Sequence, residues 1–557
     1  MIRFVGFVCL AAALEFEPEL EANPTECYLA DGTTSCGDCA PGCEYCGVPY
    51  GDAPQFHLMD QQGCSENDPN GPVYDPVHGV IHHFYQIHLA APPGHGPDYG
   101  HFVSKDFVHW ARLPVAIWNG VDASTGASTP WDDQAIFTGS GVVVDGAGPG
   151  GEGPGVVQIY PGLCDKDAHP DWCSTGTVLA QAVPADYAGD ELLVNWTKPG
   201  YNPIVNGTQR DPSTPWQTAS GEWRLRTYDS MVYGAASSAD LLAGKWYTIG
   251  QSPDLRTCEC PSLYPLPALT PGFFAAPAGA AAPPPTHVHK TSCGGDWWQL
   301  GDYAEGAPGA LGSFAATPGW EELFAQRSLD AGAFYASKDN EYPTRGSGAA
   351  RRINWGWAQV DPGSAQSLPR EVTFNAEARC LEQAPIAELR ALRGFPAANA
   401  SAPLALGGAA RNASLGVAAG VARQSETVVA FELPAAPATI GVTVGDTNCA
   451  VDYAPPADAA AAIYHVNVTC GETVDSLPLL ARETSLELRV FADWTFVEAY
   501  FQGGRVAMTA AAGLDANADV TLTARGAPVK ATAATVYPMA SIWVTEEQVR
   551  AMERVYA

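Results

Sequence analysis

The chain has 557 residues, 46% hydrophobic and 16% charged, a globular composition too long for one small core. Its formal net charge of −32 repels phosphate backbones and anionic headgroups, which excludes nucleic acid and membrane surfaces as expected partners. A neutral substrate such as a sugar feels little of that field, and the same acidity keeps an exported protein soluble.

Met1-Ile2-Arg3 and the apolar run from Phe4 to Leu14 have the pattern of a signal peptide, so residues 1–14 are expected to be a secretory signal. The run is too short to span a bilayer, and no later segment is long and apolar enough. Glycosylation sequons begin at Asn195, Asn206, Asn399, Asn412 and Asn467, as suits a protein of the secretory pathway, extracellular or vacuolar. Of 15 cysteines, Cys9 falls in the signal and leaves an even set, consistent with disulfides. Residues 15–55 form a small Cys-rich segment. Cys36, Cys39, Cys43 and Cys46 have a spacing compatible with zinc, but an exported chain favours disulfides there, with Cys27.

From His57 to about Val360 short β-strands repeat, separated by Gly, Pro and Asp. Val80–Gln86, Gly141–Val144, Val156–Tyr160, Met231–Ala235 and Trp297–Tyr303 are examples. This spacing points to a sandwich, a barrel or a propeller, without choosing among them. Gly146–Gly155 reads as a hairpin tip, and the Ala/Pro-rich Pro267–Thr286 as an irregular surface loop. From about Ser367 the alternation is regular. Leu486, Leu488 and Val490 face one way and Glu487 and Arg489 the other; Val520-Thr521-Leu522-Thr523 repeats the pattern. Phe501–Arg505 reads as a turn. This half is expected to be an antiparallel β-sandwich. Thr545, followed by Glu546 and Glu547, is a helix N-cap for a short tail.

Asn67-Asp68-Pro69-Asn70-Gly71-Pro72 reads locally as a turn, because Asp-Pro and Asn-Gly are turn dipeptides. Its company changes the reading. His83-Phe84-Tyr85-Gln86 follows, then Tyr99-Gly100-His101, and then Ser104, Asp106, His109-Trp110 and Leu113-Pro114. Ile136-Phe137-Thr138-Gly139-Ser140, Arg210-Asp211-Pro212 and Glu259-Cys260-Pro261 come next in order. Phe334-Tyr335-Ala336-Ser337, Arg351–Trp357, Leu368–Glu371 and Asp493–Glu498 complete the set. In this order the motifs resemble glycoside hydrolase family 32, the invertases, inulinases, levanases and fructan exohydrolases, over roughly His57 to Val544.

The resemblance implies an all-β chain: a five-bladed β-propeller over residues 56–362, a β-sandwich over 367–545, and a tail over 546–557. It also implies a retaining β-fructofuranosidase that releases fructose from sucrose or fructans. Asp68 would be the nucleophile, Glu259 the acid/base, and Asp211 the transition-state stabiliser. Asn67, Gln86, Tyr99, Phe137, Thr138, Ser140, Arg210 and Trp355 would bind substrate. Two carboxyl groups in those roles need pKa values pushed apart, with Asp68 ionised and Glu259 protonated. No metal or organic cofactor is implied. His82, His83, His88, His95 and His101 read as ordinary strand or surface histidines rather than metal ligands. Cys260 is either a small apolar neighbour of Glu259 or a disulfide half; pairing with Cys258 would be strained.

Several positions depart from the family pattern. Ser65 stands where an aromatic is usual, with Glu66 next, and Tyr99 replaces the Trp of Trp-Gly-His. Cys258 replaces the Trp before Glu-Cys-Pro, Ser262 the Asp after it, and the segment Ser292–Asp296 is shortened. These changes fall on the expected pocket rim and bear on the leaving group. A fructosyltransferase on the same scaffold, or a sugar-binding protein without catalysis, are the competing readings.

Overall fold

The structure is a computed structural model that describes residues 51–60, 65–88, 96–267, 285–318, 327–346, 350–400, 403–407, 412–458 and 461–556. The signal segment, Cys27–Cys46 and most of the Pro267–Thr286 loop lie outside the described residues.

Five antiparallel sheets follow one another along the first part of the chain. The first has the strands Ser65–Asp75, Val80–His88, Asp98–Ser104 and Ala111–Ile117 in sequence order. The second is built on Ser140–Asp145, Pro154–Leu163 and Thr177–Pro184, and the third on Trp223–Arg226, Met231–Ala235 and Tyr247–Gln251. Glu259–Pro265 opens the fourth, and Phe334–Pro343 opens the fifth. Each sheet is a meander, which is what short strands joined by Gly, Pro and Asp turns produce. The opening strand of the first sheet touches those of the second and fifth, and the opening strand of the fourth also touches that of the fifth. Four of the five sheets thus meet through their opening strands.

The later part is two larger sheets of seven and six strands over one core. Leu486, Leu488 and Val490 of one sheet pack with Ile440, Val442 and Leu522 of the other, all at most 1% exposed. The alternation read in the sequence is thus the inward face of a two-layer packing. Gln502–Gly504 turns the chain between the strands Phe496–Phe501 and Val506–Ala511, as expected.

Thr545 caps the helix Glu546–Ala551 in a capping box with Gln548. The tail is docked rather than free. Lys105 Nζ donates to the carbonyls of Arg550 and Met552, both at 3.1 Å, and Tyr556 packs on Tyr74 and Phe107.

Three disulfides form among the described residues: Cys164–Cys173, Cys258–Cys293 and Cys449–Cys470. Cys260 and Cys380 are free and buried, so Cys260 is the small apolar neighbour and not a disulfide half. The sequon residues Asn195, Asn206, Asn399, Asn412 and Asn467 are all exposed. No helix among the described residues is long and apolar enough to cross a membrane.

Candidate active site

The acidic motifs converge where the sheets begin. Asp68 lies on the opening strand of the first sheet. Asp211 precedes the third sheet, and Glu259 is the first residue of the fourth. The sulfur of Cys260 lies 3.9 Å from Asp68 Oδ2 and 3.9 Å from Asp211 Oδ2, so both carboxylates meet at one thiol. The Cys260 N–H donates to Asp211 Oδ2 at 3.1 Å. Arg210 donates to Glu259 Oε1, and the Tyr335 hydroxyl donates to Glu259 Oε2 at 2.6 Å. Thr138 Oγ1 donates to Asp68 Oδ2, while Gln86 Nε2 lies 2.7 Å from Thr138 Oγ1 and 3.5 Å from Asp68 Oδ2.

Irregular backbone aims these groups. The register of the first strand breaks between Glu66 and Pro69, that of the fourth sheet between Glu259 and Ser262, and that of the fifth between Tyr335 and Lys338. A bulge turns side chains out of the ladder and concentrates next to active sites. Asp211, Cys260 and Ala336 adopt left-handed backbone, with φ of 58°, 43° and 52°. Non-glycine residues pay strain there, and the surrounding packing must hold them. The turn expected at Asn67–Pro72 is corrected accordingly: these residues lie inside the strand Ser65–Asp75. Pairing with Val80–His88 overrides the local turn chemistry, which survives as bulges.

Burial pushes the Asp68 carboxyl up to about 7; Asp211 and Glu259 add to the rise, while Thr138 and Lys338 oppose it. Asp211 is also raised, first by burial and then by Glu259, against the pull of Arg210. A group expected to stay ionised is therefore hard to ionise in the empty protein. Lys338 is the buried cation beneath it. Its ammonium, 1% exposed as a residue, donates to Pro212 O at 3.0 Å and Ser140 Oγ at 3.3 Å.

The family model described as glycosyl hydrolases family 32 N-terminal domain matches residues 57–385, and the family 32 C-terminal model matches 367–537. The chain belongs to glycosyl hydrolase family 32. It is 28% identical to a fructan 6-exohydrolase of Triticum aestivum over 70% of this chain and 65% of that protein. It is 29% identical to a β-fructofuranosidase, insoluble isoenzyme 1, of Daucus carota over 61% of this chain and 56% of that protein. The chain thus spans somewhat over half the length of these curated relatives. Among solved structures, fructan 1-exohydrolase IIa of Cichorium intybus superposes with a TM-score of 0.68 at 20% identity, covering 90% of this chain and 99% of that one. An exo-inulinase of Aspergillus awamori gives 0.63 at 19% identity, covering 89% and 99%. These likenesses show the fold.

Within this family 32 chain the structure brings together Asp68, Asp211, Glu259, Gln86, Thr138 and Arg210. Asn67 and Phe137 are half-buried beside them on the same segments. Tyr99 and Ser140 sit in a layer below, fully buried: Tyr99 donates to Phe137 O at 2.6 Å and Ser140 to Pro212 O at 2.7 Å. Trp355 is a correction. It is 0% exposed, and its ring packs on His83, Phe107 and Tyr342, because the first and fifth sheets close over it. Trp357 is half-buried and pairs across from Tyr335, which bonds Glu259. Sequence reasoning quoted the motif containing Tyr335 without giving that residue a role, and stopped one residue short of Lys338. Of the histidines, His82, His83 and His101 are buried in the first sheet; His82 and His101 approach to 2.9 Å, and burial pushes His82 down to about 4. His95 lies outside the described residues.

Proposed function

We propose that this chain is a retaining β-fructofuranosidase that releases terminal fructose from sucrose or fructans. The observation that carries the reading is the meeting of Asp68 and Asp211 at Cys260, with Glu259 one residue away and gripped by Arg210 and Tyr335. Asp68 attacks the anomeric carbon while Glu259 protonates the departing oxygen. Water, deprotonated by Glu259, then releases fructose from Asp68. Asp211 accepts fructosyl hydroxyls and stabilises the oxocarbenium-like transition state. Retention calls for Asp68 and Glu259 carboxyl groups about 5–5.5 Å apart.

The two roles call for Asp68 bare to attack and Glu259 carrying the proton that it delivers to the leaving oxygen. Lys338 favours the bare Asp68 from below. Arg210 and Tyr335 hold Glu259 by both oxygens, which fixes its aim.

The five successive sheets, four of them meeting through their opening strands, support a five-bladed propeller over residues 56–362, and the two-layer region supports a sandwich over 367–545. The exposed sequons and three disulfides support a secretory-pathway location. A relative from Arabidopsis thaliana is named as a vacuolar acid β-fructofuranosidase. The test is a panel of sucrose, raffinose, inulin and levan, with free fructose and transfer products read separately. Free fructose as the main early product supports the reading. Oligomers as the main product would move the protein to the transferases, and no turnover of any member would reduce it to a sugar-binding protein.

A further inference from the structure

Glu66 stands two residues before Asp68, on the same strand, and is 1% exposed. Its carboxyl accepts from the Asp60 N–H at 2.6 Å and from Gln366 Nε2 at 3.0 Å. Arg112, the cation that acts on it through space, is paired instead with Asp60 at 3.2 Å. A buried carboxyl without its own cation is costly unless it stays neutral. Burial, with Asp60 adding, does push Glu66 well above the usual carboxylate range.

Gln366 ties this carboxyl to the bulge. Its Nε2 donates to Glu66 Oε1 and also to Asn67 O at 2.7 Å, and its Oε1 lies 3.2 Å from His83 Nε2. An amide oxygen only accepts, so His83 carries a proton on Nε2 and fixes which way the amide points. The Glu66 N–H donates to Gly363 O at 3.0 Å. Between Glu66 and Pro69 the strand leaves its register with Val80–His88, so Asn67 and Asp68 lack ladder partners there. The Gln366 bond to Asn67 O stands in for a missing backbone bond, and its bond to Glu66 ties that carboxyl to the same point.

We propose that Glu66 is a positioning residue for Asp68: together with Gln366 it fixes the bulge that aims the Asp68 carboxylate. This rests on the reading of Asp68 as the attacking group. The experiment measures kcat and KM for fructose release, per folded molecule, in the wild type, Glu66→Met, Glu66→Gln, Gln366→Ala and the double variant Glu66→Met/Gln366→Ala.

A misaimed nucleophile costs turnover, so Glu66→Met should lower kcat about 10- to 100-fold with KM within about threefold. Glu66→Gln keeps the volume and one acceptor oxygen, and should lose less. Gln366→Ala should match the methionine variant, and the double variant should be no worse than either single, because both cut one brace. Unchanged kcat in Glu66→Met, a loss confined to KM, Glu66→Gln falling as far as Glu66→Met, or losses that multiply in the double variant would each overturn the proposal. Should Glu66→Met not fold, unchanged kcat in Gln366→Ala overturns it. A wild type that releases no fructose overturns the functional reading as well; an active wild type with unaffected variants overturns this proposal alone.

Discussion

Where the two halves of the chain meet, basic partners hold the Glu498 carboxyl ionised, whereas at the candidate active site burial pushes Asp68 towards its neutral form. At the junction, Arg370 is fully buried and bonds Asp330 at 2.9 Å and Glu498 at 3.0 Å. His57 lies between Asp493 at 2.8 Å and Glu498 at 3.4 Å. Burial opposes the Glu498 charge, yet Arg370 and His57 hold its carboxyl down at about 2. At the site, burial dominates and Asp68 rises to about 7. At the junction, basic partners outweigh burial. The site crowds acids together and keeps a proton available. Burial opposes the charge on both carboxyls, and the opposite shifts follow from which neighbours each one has.

The sharpest way to break this contrast is to neutralise the site. Asp68→Asn and Glu259→Gln should each lower turnover by at least about 100- to 10,000-fold, the range for losing a positioned acid, base or nucleophile. Azide with an activated fructoside should partly restore deglycosylation in a Glu259→Ala variant, since an external nucleophile bypasses the missing base. Near-normal turnover in either neutral variant would falsify the assignment. The contrast adds an expectation about stability. A carboxyl raised in the fold costs nothing below its unfolded value of 3.8. The cost grows as pH rises towards about 7 and is constant above that. Asp68→Asn should therefore be more stable than wild type above neutral pH, by about 1–4 kcal/mol, and no more stable at pH 3. Denaturant midpoints at the two pH values check this.

The junction should behave in reverse. Arg370→Met leaves Glu498 and Asp330 buried without their cation, at a cost of about 3–5 kcal/mol. Turnover per folded molecule should stay within a few-fold, since Arg370 bonds none of the three carboxylates. A loss of kcat in a fully folded Arg370 variant would show that the two regions are coupled.

The two regions also differ in how far the sequence discloses them. Period-two alternation at Leu486–Val490 is enough to assign inward faces, because a sandwich strand has one wet side and one dry side. The Thr545 cap is local chemistry, read directly. Asp68, Asp211 and Glu259 came from ordered motifs, and the structure brings all three together. Glu66, Lys338 and the bulges were not legible. A buried lysine or glutamate looks like any surface charge until distant strands are folded over it. Trp355 misled for the matching reason: a tryptophan in a strand serves a pocket or a core equally well, and only the closure of the first sheet on the fifth decides.

A smaller effect concerns the rim. Cys258 and Cys293, where the family pattern has a Trp and a longer segment, form a disulfide beside Glu259. Ser65 also stands where that pattern has an aromatic, so on the proposed reading this chain lacks surfaces on which a leaving glucose would stack. Short fructans should be cleaved at least as efficiently as sucrose. One lost stacking contact is worth about tenfold in kcat/KM, roughly 1.4 kcal/mol. Ratios of kcat/KM for sucrose against inulin-type and levan-type oligomers decide it. A clear preference for sucrose over both defeats the idea.

The smallest effect separates the two charge clusters by pH alone. Burial opposes a proton on His57, but Asp493 and Glu498 outweigh it, and the imidazole is raised above 6.5 in the fold. A raised histidine contributes stability that is complete below 6.5 and fades as pH rises through its folded value. Asp68 fades stability in the window just below, from 3.8 to about 7. Both slopes run downward with pH, so the wild-type curve alone does not assign them. Difference curves do. Wild type minus His57→Gln should slope downward only above about pH 6, and wild type minus Asp68→Asn only below about pH 7. His57 already loses much of its gain to desolvation, so its step should be the smaller of the two. A His57→Gln difference curve that is flat from pH 6 to 9 would mean that the imidazole stays neutral between its two carboxylates. Arg370 would then be the cation that holds Glu498 ionised.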